Sequence, residues 1–209
     1  ISILNEFRRK CYQVLLDKLT YIHEKIEPVK LGKPVCTQPE IKDYHISLNG
    51  EVDERKIQIY SPEVYEIEKI IAFKSKCEKL NKIAYLDLPN FVLKQDIEYL
   101  KDIVDKTKIG VVANNLYAMN FATDIIAGGG LNIYNDYSAG YFNVPYIVAE
   151  RGENYMPYMT LRFCPMKEYL KANCKNCPYK DGYYYKMQNG KVLKLKRKKL
   201  SSCTFYLTD

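Results

Sequence analysis

Four of the seven cysteines, Cys164, Cys174, Cys177 and Cys203, lie in the last quarter of the chain with the spacing C-x9-C-x2-C-x25-C. Two intervening residues let the sulfurs of Cys174 and Cys177 turn to one point, and Pro165 and Pro178 stiffen the chain beside Cys164 and Cys177. Four thiolates can hold tetrahedral Zn²⁺ or an iron–sulfur cluster; their softness excludes magnesium and calcium. The spacing does not choose between zinc and iron. Cys11, Cys36 and Cys77 match no ligand template and read as ordinary buried thiols. Histidine is limited to His23 and His45, and neither H-E-x-x-H nor G-x-S-x-G occurs, so no hydrolytic nucleophile or open metal site assembles from sequence.

The charge sits with these cysteines. The chain carries a formal +7, yet residues 164–209 hold 11 Lys/Arg against 3 Asp/Glu, leaving residues 1–163 almost neutral. The densest stretch, residues 191–199, includes Lys194, Lys196, Arg197 and Lys198 and follows Tyr183, Tyr184 and Tyr185. Cations beside aromatic rings suit a phosphate backbone with unpaired bases to stack, which makes structured RNA a candidate partner. A solvated edge strand kept soluble by lysines explains the same run equally well.

Elements must position these groups. Leu4, Phe7, Cys11, Val14, Leu15 and Ile22 share one face of a helix over residues 2–26. Residues 27–53 carry Pro28, Gly32, Pro34 and Pro39 and read as a linker with one short strand at 45–48. Apolar runs at 57–60, 83–88 and 109–113 alternate with helical patterns, the first helix starting at an expected Ser61 N-cap and running to Leu80, the second carrying Leu93, Ile97, Leu100 and Val104. That alternation predicts βαβ units and a parallel sheet. Residues 124–134 and 146–150 give further strands, and Gly128 to Gly130 a bend needing positive φ. Five or six strands fall short of the eight in about 250 residues of a closed barrel. The fold class expected is therefore α/β: an incomplete or modified (β/α) barrel-like parallel sheet with a C-terminal four-cysteine β-hairpin appendage. Its three parts are a helix and linker over 1–53, the barrel-like region over 54–157 and the basic cysteine-rich part over 158–209. In the last, residues 158–163 form a strand and Asn189-Gly190 turns a hairpin over 183–195.

No run of 18 apolar residues occurs, so no membrane span is expected. The first residues lack a signal-peptide order, and the chain reads as a piece of a longer cytoplasmic protein whose thiols stay reduced.

Residues 158–165, Tyr-Met-Thr-Leu-Arg-Phe-Cys-Pro, together with Cys174-x-x-Cys177, the hairpin and Cys203, resemble the end of the bacterial collagenase-like peptidases. Gly130-Leu-Asn-Ile-Tyr-Asn135 is similar to that family's Gly-Leu-Asn strand motif, and residues 4–9 resemble a helix preceding the C-terminal module of longer members. The family's Glu-x-Phe-x-x-Gly-x-x-Cys signature has no match, so the resemblance implies a C-terminal module partnered by an N-terminal part of the same protein. Members were named as proteases, while relatives hydroxylate RNA or ubiquinone precursors and carry a four-cysteine iron–sulfur cluster. The resemblance thus implies RNA hydroxylation ahead of proteolysis, with a non-catalytic metal-stapled binding domain as a third reading. It implies Cys164, Cys174, Cys177 and Cys203 as ligands of a four-iron four-sulfur cluster, with zinc the alternative. Arg162 would neighbour them, and Asn132, Asn135 and Glu150 would be polar site residues, unless they only satisfy backbone at strand ends.

Overall fold

The computed structural model describes residues 2–20, 32, 36–148, 157–179 and 183–208. Glu150, His23 and the outer ends of the expected 2–26 helix and 146–150 strand lie outside them. The chain divides into two compact units, residues 1–33 and 34–209. In the first, helix α1 (Ser2–Thr20) carries the apolar face read from sequence, with a Lys10–Glu6 ion pair of 3.0 Å one turn apart.

The second unit is mixed α/β. Its first sheet is made of β1 (Tyr44–Ser47), β2 (Ile57–Tyr60), β3 (Ile83–Asp87), β4 (Gly110–Ala113) and β5 (Ile125–Ala127), all parallel and in chain order. Helix α2 (Ile67–Lys79) crosses from β2 to β3 and α3 (Lys94–Thr107) from β3 to β4. These helices form because Ile70, Phe73 and Cys77, then Leu100, Ile103, Val104 and Thr107, recur at helical spacing and bury one face each. They pack on Tyr60, Leu86 and Val111 of the strands, where a fully buried aliphatic side chain contributes about 1.5–3 kcal/mol. Ile59, Val112 and Ile126 of alternating register point to the other face and meet Ile147, with Tyr44, Ile46 and Tyr85 packed around them. Isolated parallel bridges join Ala127 to Tyr146 and Tyr146 to Glu40.

Three local expectations change. Helix α2 begins at Ile67 after an N-cap at Glu66, because Ser61 donates its hydroxyl hydrogen to Asp87 instead of capping. The strand expected over 124–134 stops at Ala127. Gly128 to Gly130 do not need positive φ: φ is −88° at Gly128, and the left-handed residue is Asn132 at 54°. These glycines serve a close approach instead, since a Cβ at Gly128 or Gly130 would lie closer than 3.0 Å to Asn114.

Helix α4 (Asp136–Phe142) fills the short interval before Tyr146. The last part of the chain forms a separate antiparallel sheet of β6 (Met159–Leu161), β7 (Tyr184–Lys186), β8 (Val192–Lys199) and β9 (Cys203–Thr208), in the order β6-β9-β8-β7. The hairpin β7–β8 closes through Gly190 at φ 83°, as Asn-Gly favours. A short helix α5 (Pro165–Leu170) follows β6. Leu193, Leu195, Phe205 and Leu207 build a second core between this sheet, Met166 and Tyr179. No helix among the described residues is long and apolar enough to cross a membrane.

Candidate functional site

Parallel strands deliver their carboxyl ends to one side, where loops leave the sheet and ligand sites of α/β proteins form. Here Ser61 follows β2, Asp87 ends β3, Asn114 follows β4 and Gly128 to Gly130 follow β5. Asp87 is only 4 % exposed. Its Oδ2 accepts from Ser61 Oγ at 2.6 Å and is ion-paired with Lys198 Nζ; its Oδ1 accepts from Asn114 Nδ2 at 2.6 Å. Asn114 is itself fixed, donating to Leu88 O at 2.8 Å and accepting from Gly130 N at 3.2 Å. Tyr65 donates to Asp87 O at 2.7 Å, and Lys198 Nζ lies 5.8 Å from the centre of its ring. A buried carboxylate is tolerated only when paired and hydrogen-bonded in this way.

Lys198 comes from β8, so the antiparallel sheet lies against the strand ends. The contact is knit by further bonds. Arg197 Nε donates to Glu63 Oε1 at 2.7 Å, Lys199 N donates to Glu63 O at 2.7 Å, and Ser201 Oγ donates to Asp96 Oδ2 at 2.7 Å. Between the two sheets remains a cavity of about 140 Å³. Its wall includes Ser61, Asp87, Asn90 and Asn114 from the parallel sheet and Lys196, Arg197, Lys198, Tyr206 and Thr208 from the antiparallel one. Burial pushes the Tyr206 hydroxyl well above its ordinary pKa, and the nearby Asp87 charge adds to this, so Tyr206 stays a neutral phenol. Tyr117, which donates to Pro89 O at 2.8 Å, is raised by burial too, with Tyr206 and Asp87 contributing.

The thiols lie at the edge of the same contact. Cys164 caps α5, whose first position is Pro165, and the amides of Lys167 and Glu168 donate to its carbonyl. Cys203 opens β9; burial raises its thiol pKa, Arg197 opposes this, and Cys164 and Cys177 raise it further. Cys203 therefore lies within electrostatic reach of both Cys164 and Cys177. Arg197 joins them to the cavity: its Nη1 is 3.6 Å from Cys177 Sγ and its guanidinium lies 4.2 Å over the Tyr179 ring. Asn173 Oδ1 accepts from Asn176 N at 2.9 Å, a local side-chain-to-backbone bond that turns the chain at the exposed Cys174. Among the described residues, no three His, Cys, Asp or Glu side chains meet in ligating geometry. Of the other cysteines only Cys77 is fully buried; Cys36 borders the cluster of Ala127, Ile133 and Ala139 and stays partly exposed, and Cys11 on α1 is exposed, against the expectation that all three are buried.

The remaining expected residues are scattered. Asn132 is exposed and ends a short 3₁₀ turn; Asn135 caps α4 by accepting from Ser138 N at 3.0 Å. Neither lines the cavity. Arg162 stacks its guanidinium 4.6 Å over Phe91. Tyr183 donates to Pro178 O at 2.8 Å and stacks on Tyr179, whereas Tyr184 and Tyr185 are exposed at 63 % and 55 %. Lys194 is half-buried, and Arg197 and Lys198 are held by carboxylates. Sequence reasoning passed over Ser61, Asp87, Asn114 and Tyr206, although a lone carboxylate closing the apolar run 83–88 was a usable signal for Asp87. Comparison of the chain with protein-family models, with curated proteins and with solved structures finds no match.

Proposed function

We propose that this chain is a module of an RNA-modifying enzyme, with hydroxylation the reaction implied by its resemblance to the collagenase-like family, and with its reacting group bound in the cavity at the strand ends. The observation that carries this reading is Arg197, which lines the cavity and also reaches Cys177. A group held by the thiols would thus sit one side chain from the bound substrate. The donor chemistry of Cys164, Cys174, Cys177 and Cys203 fits a four-iron four-sulfur cluster, with zinc the alternative; when bound, the cluster would supply electron transfer. The chain's own residues supply the rest: Asp87, Ser61 and Asn114 form a fixed polar floor, Lys198 and Arg197 fasten the roof, and Tyr184, Tyr185 and Lys194 offer stacking and phosphate contacts outside.

The same reading takes the parallel sheet as an incomplete or modified (β/α) barrel. Isolated bridges through Tyr146 link β5 to the segment leading into β1, and Ile59, Val112, Ile126 and Ile147 pack together on one face of the sheet.

Hydrolysis has one observation in its favour, the meeting of Ser61, Asp87 and Lys198. Ser61, however, gives its hydrogen bond to a carboxylate that is already shared with Asn114 and Lys198. This arrangement holds a hydroxyl and does not activate it. The test is nucleoside mass spectrometry of RNA from cells lacking the full-length protein. Loss of one nucleoside heavier by a single oxygen, restored by the wild-type gene and not by a Cys177→Ser gene, is the expected result. An unchanged nucleoside profile overturns the reading.

A further inference from the structure

We infer that the cavity between the two sheets is a binding site for a neutral ligand of one-ring size, recognised by hydrogen bonds and not by charge. The inference deepens the function proposed above and rests on it for one point only, whether the ring is a base of an RNA or a free small molecule.

Size comes first. A cavity of about 150 Å³ accommodates a benzene ring, and this one is about 140 Å³. Charge comes next. Arg197 is matched by Glu63 and Lys198 by Asp87, and Lys196 has a partner of its own. An ionic ligand that drew Lys198 away would break its ion pair with Asp87, a carboxylate at 4 % exposure, which is costly. A neutral ligand leaves both pairs in place.

The wall offers what a neutral polar ring needs. Ile46, Leu48 and Pro62 give apolar surface, and Asn90 and Asn114 bring amide groups. Tyr206 and Thr208 are only 6 % and 5 % exposed, and among the described residues their hydroxyls meet no partner in normal hydrogen-bond geometry, although the Asn90 backbone amide lies close enough to the Tyr206 oxygen to favour its ionised form. Two unsatisfied hydroxyls in one wall are an unmet hydrogen-bonding capacity that a ligand with adjacent donor and acceptor positions would meet.

The probes are 2-pyridone (neutral, with adjacent donor and acceptor), benzoate, benzylammonium and benzene, titrated into the full chain by NMR. Tyr206→Phe and Thr208→Val remove hydroxyls that have no well-formed partner among the described residues, so folding is unaffected, as an unchanged melting temperature will confirm. The expected result is binding of 2-pyridone tighter than either ion and tighter than benzene, weakened about fivefold by each variant, the equivalent of one neutral hydrogen bond. Binding of benzoate or benzylammonium as tight as 2-pyridone, no binding by any probe, or 2-pyridone affinity unchanged in both variants overturns the inference. Displacement of bound 2-pyridone by a short single-stranded RNA identifies the ring as a base. Selective 2-pyridone binding that RNA does not displace upholds the cavity site while removing RNA as its source.

Discussion

Replacing Lys198 with Met removes the Lys198 ion pair from Asp87, a carboxylate buried at 4 % exposure, and leaves its hydrogen bonds from Ser61 and Asn114 in place. Removing one partner of a buried pair costs about 3–5 kcal/mol, because the remaining charge stays desolvated. Lys198 and Asp87 side chains are 12 % and 5 % exposed, which puts the pair in this class. The Lys106–Asp102 pair on α3 is equally well formed at 2.6 Å but 58 % and 49 % exposed, so Lys106→Met should cost less than about 0.5 kcal/mol. A unit of this size shifts its melting temperature by about 2–4 °C per kcal/mol. Lys198→Met should therefore lower it by roughly 10 °C and Lys106→Met by less than about 2 °C. The double variant Asp87→Asn/Lys198→Met keeps a side chain that can accept from Ser61 and removes the buried charge. It should recover about half of the loss or more. Urea unfolding followed by circular dichroism, with all variants in one buffer, measures these differences. If Lys198→Met costs no more than Lys106→Met, the pairing of the two sheets through Asp87 is wrong.

Other consequences can be checked separately. Gly130→Ala sets a Cβ against the Asn114 backbone and should destabilise by about 1–3 kcal/mol in the same unfolding assay, where an open position such as Gly32 would show no clash. In metal-free protein, the exposed Cys11, Cys174 and Cys177 should be alkylated by iodoacetamide well before Cys77, whose thiol burial pushes up to about 11; mass spectrometry of timed digests reads the order. Burial pulls the Asp53 carboxyl upward, but hydrogen bonds from Gln58 and the Arg55 amide, aided by His45 and Arg55, hold it below the ordinary 3.8. A carboxyl lowered on folding adds stability above its unfolded value and loses it as pH falls toward its folded value. Asp53→Asn should accordingly flatten the loss of stability below about pH 4, and an unchanged acid limb in pH-dependent unfolding would count against the assignment. Tyr184→Ala/Tyr185→Ala/Lys194→Gln should weaken RNA binding several-fold and reduce its salt dependence without lowering the melting temperature, since none of the three is buried.

Much of the frame was legible because it rests on periodicity. Ile57 to Tyr60, Ile83 to Asp87 and Gly110 to Ala113 are apolar runs that a sheet covered on both faces requires, and α3 repeats its buried residues at helical spacing. The Asn189-Gly190 turn depends on local backbone preference and was equally visible. What sequence did not carry was which side chains meet across elements. Lys198 sits in a run of cations that looks uniformly solvated, yet its register on β8 sends it to a carboxylate more than a hundred residues earlier in the chain. Ser61 looked like a helix cap because Pro62 and Glu63 follow it; the stronger acceptor at Asp87 took its hydrogen. The glycine run was misread for the same reason, since the need for close approach came from Asn114, a residue in another loop. The cysteine spacing was informative about donor chemistry and silent about its neighbour Arg197, which only folding brings to Cys177.

The proposed function depends on the thiols beside Arg197 holding a redox-active group next to the cavity. Iron and acid-labile sulfide analysis of anaerobically purified protein tests this most directly, with Cys177→Ser and Cys203→Ser variants alongside. About four iron and four sulfide per chain are predicted, with absorption near 400 nm, lost in both variants. One zinc per chain and no sulfide, or no metal retained by wild-type protein prepared without oxygen, would contradict it.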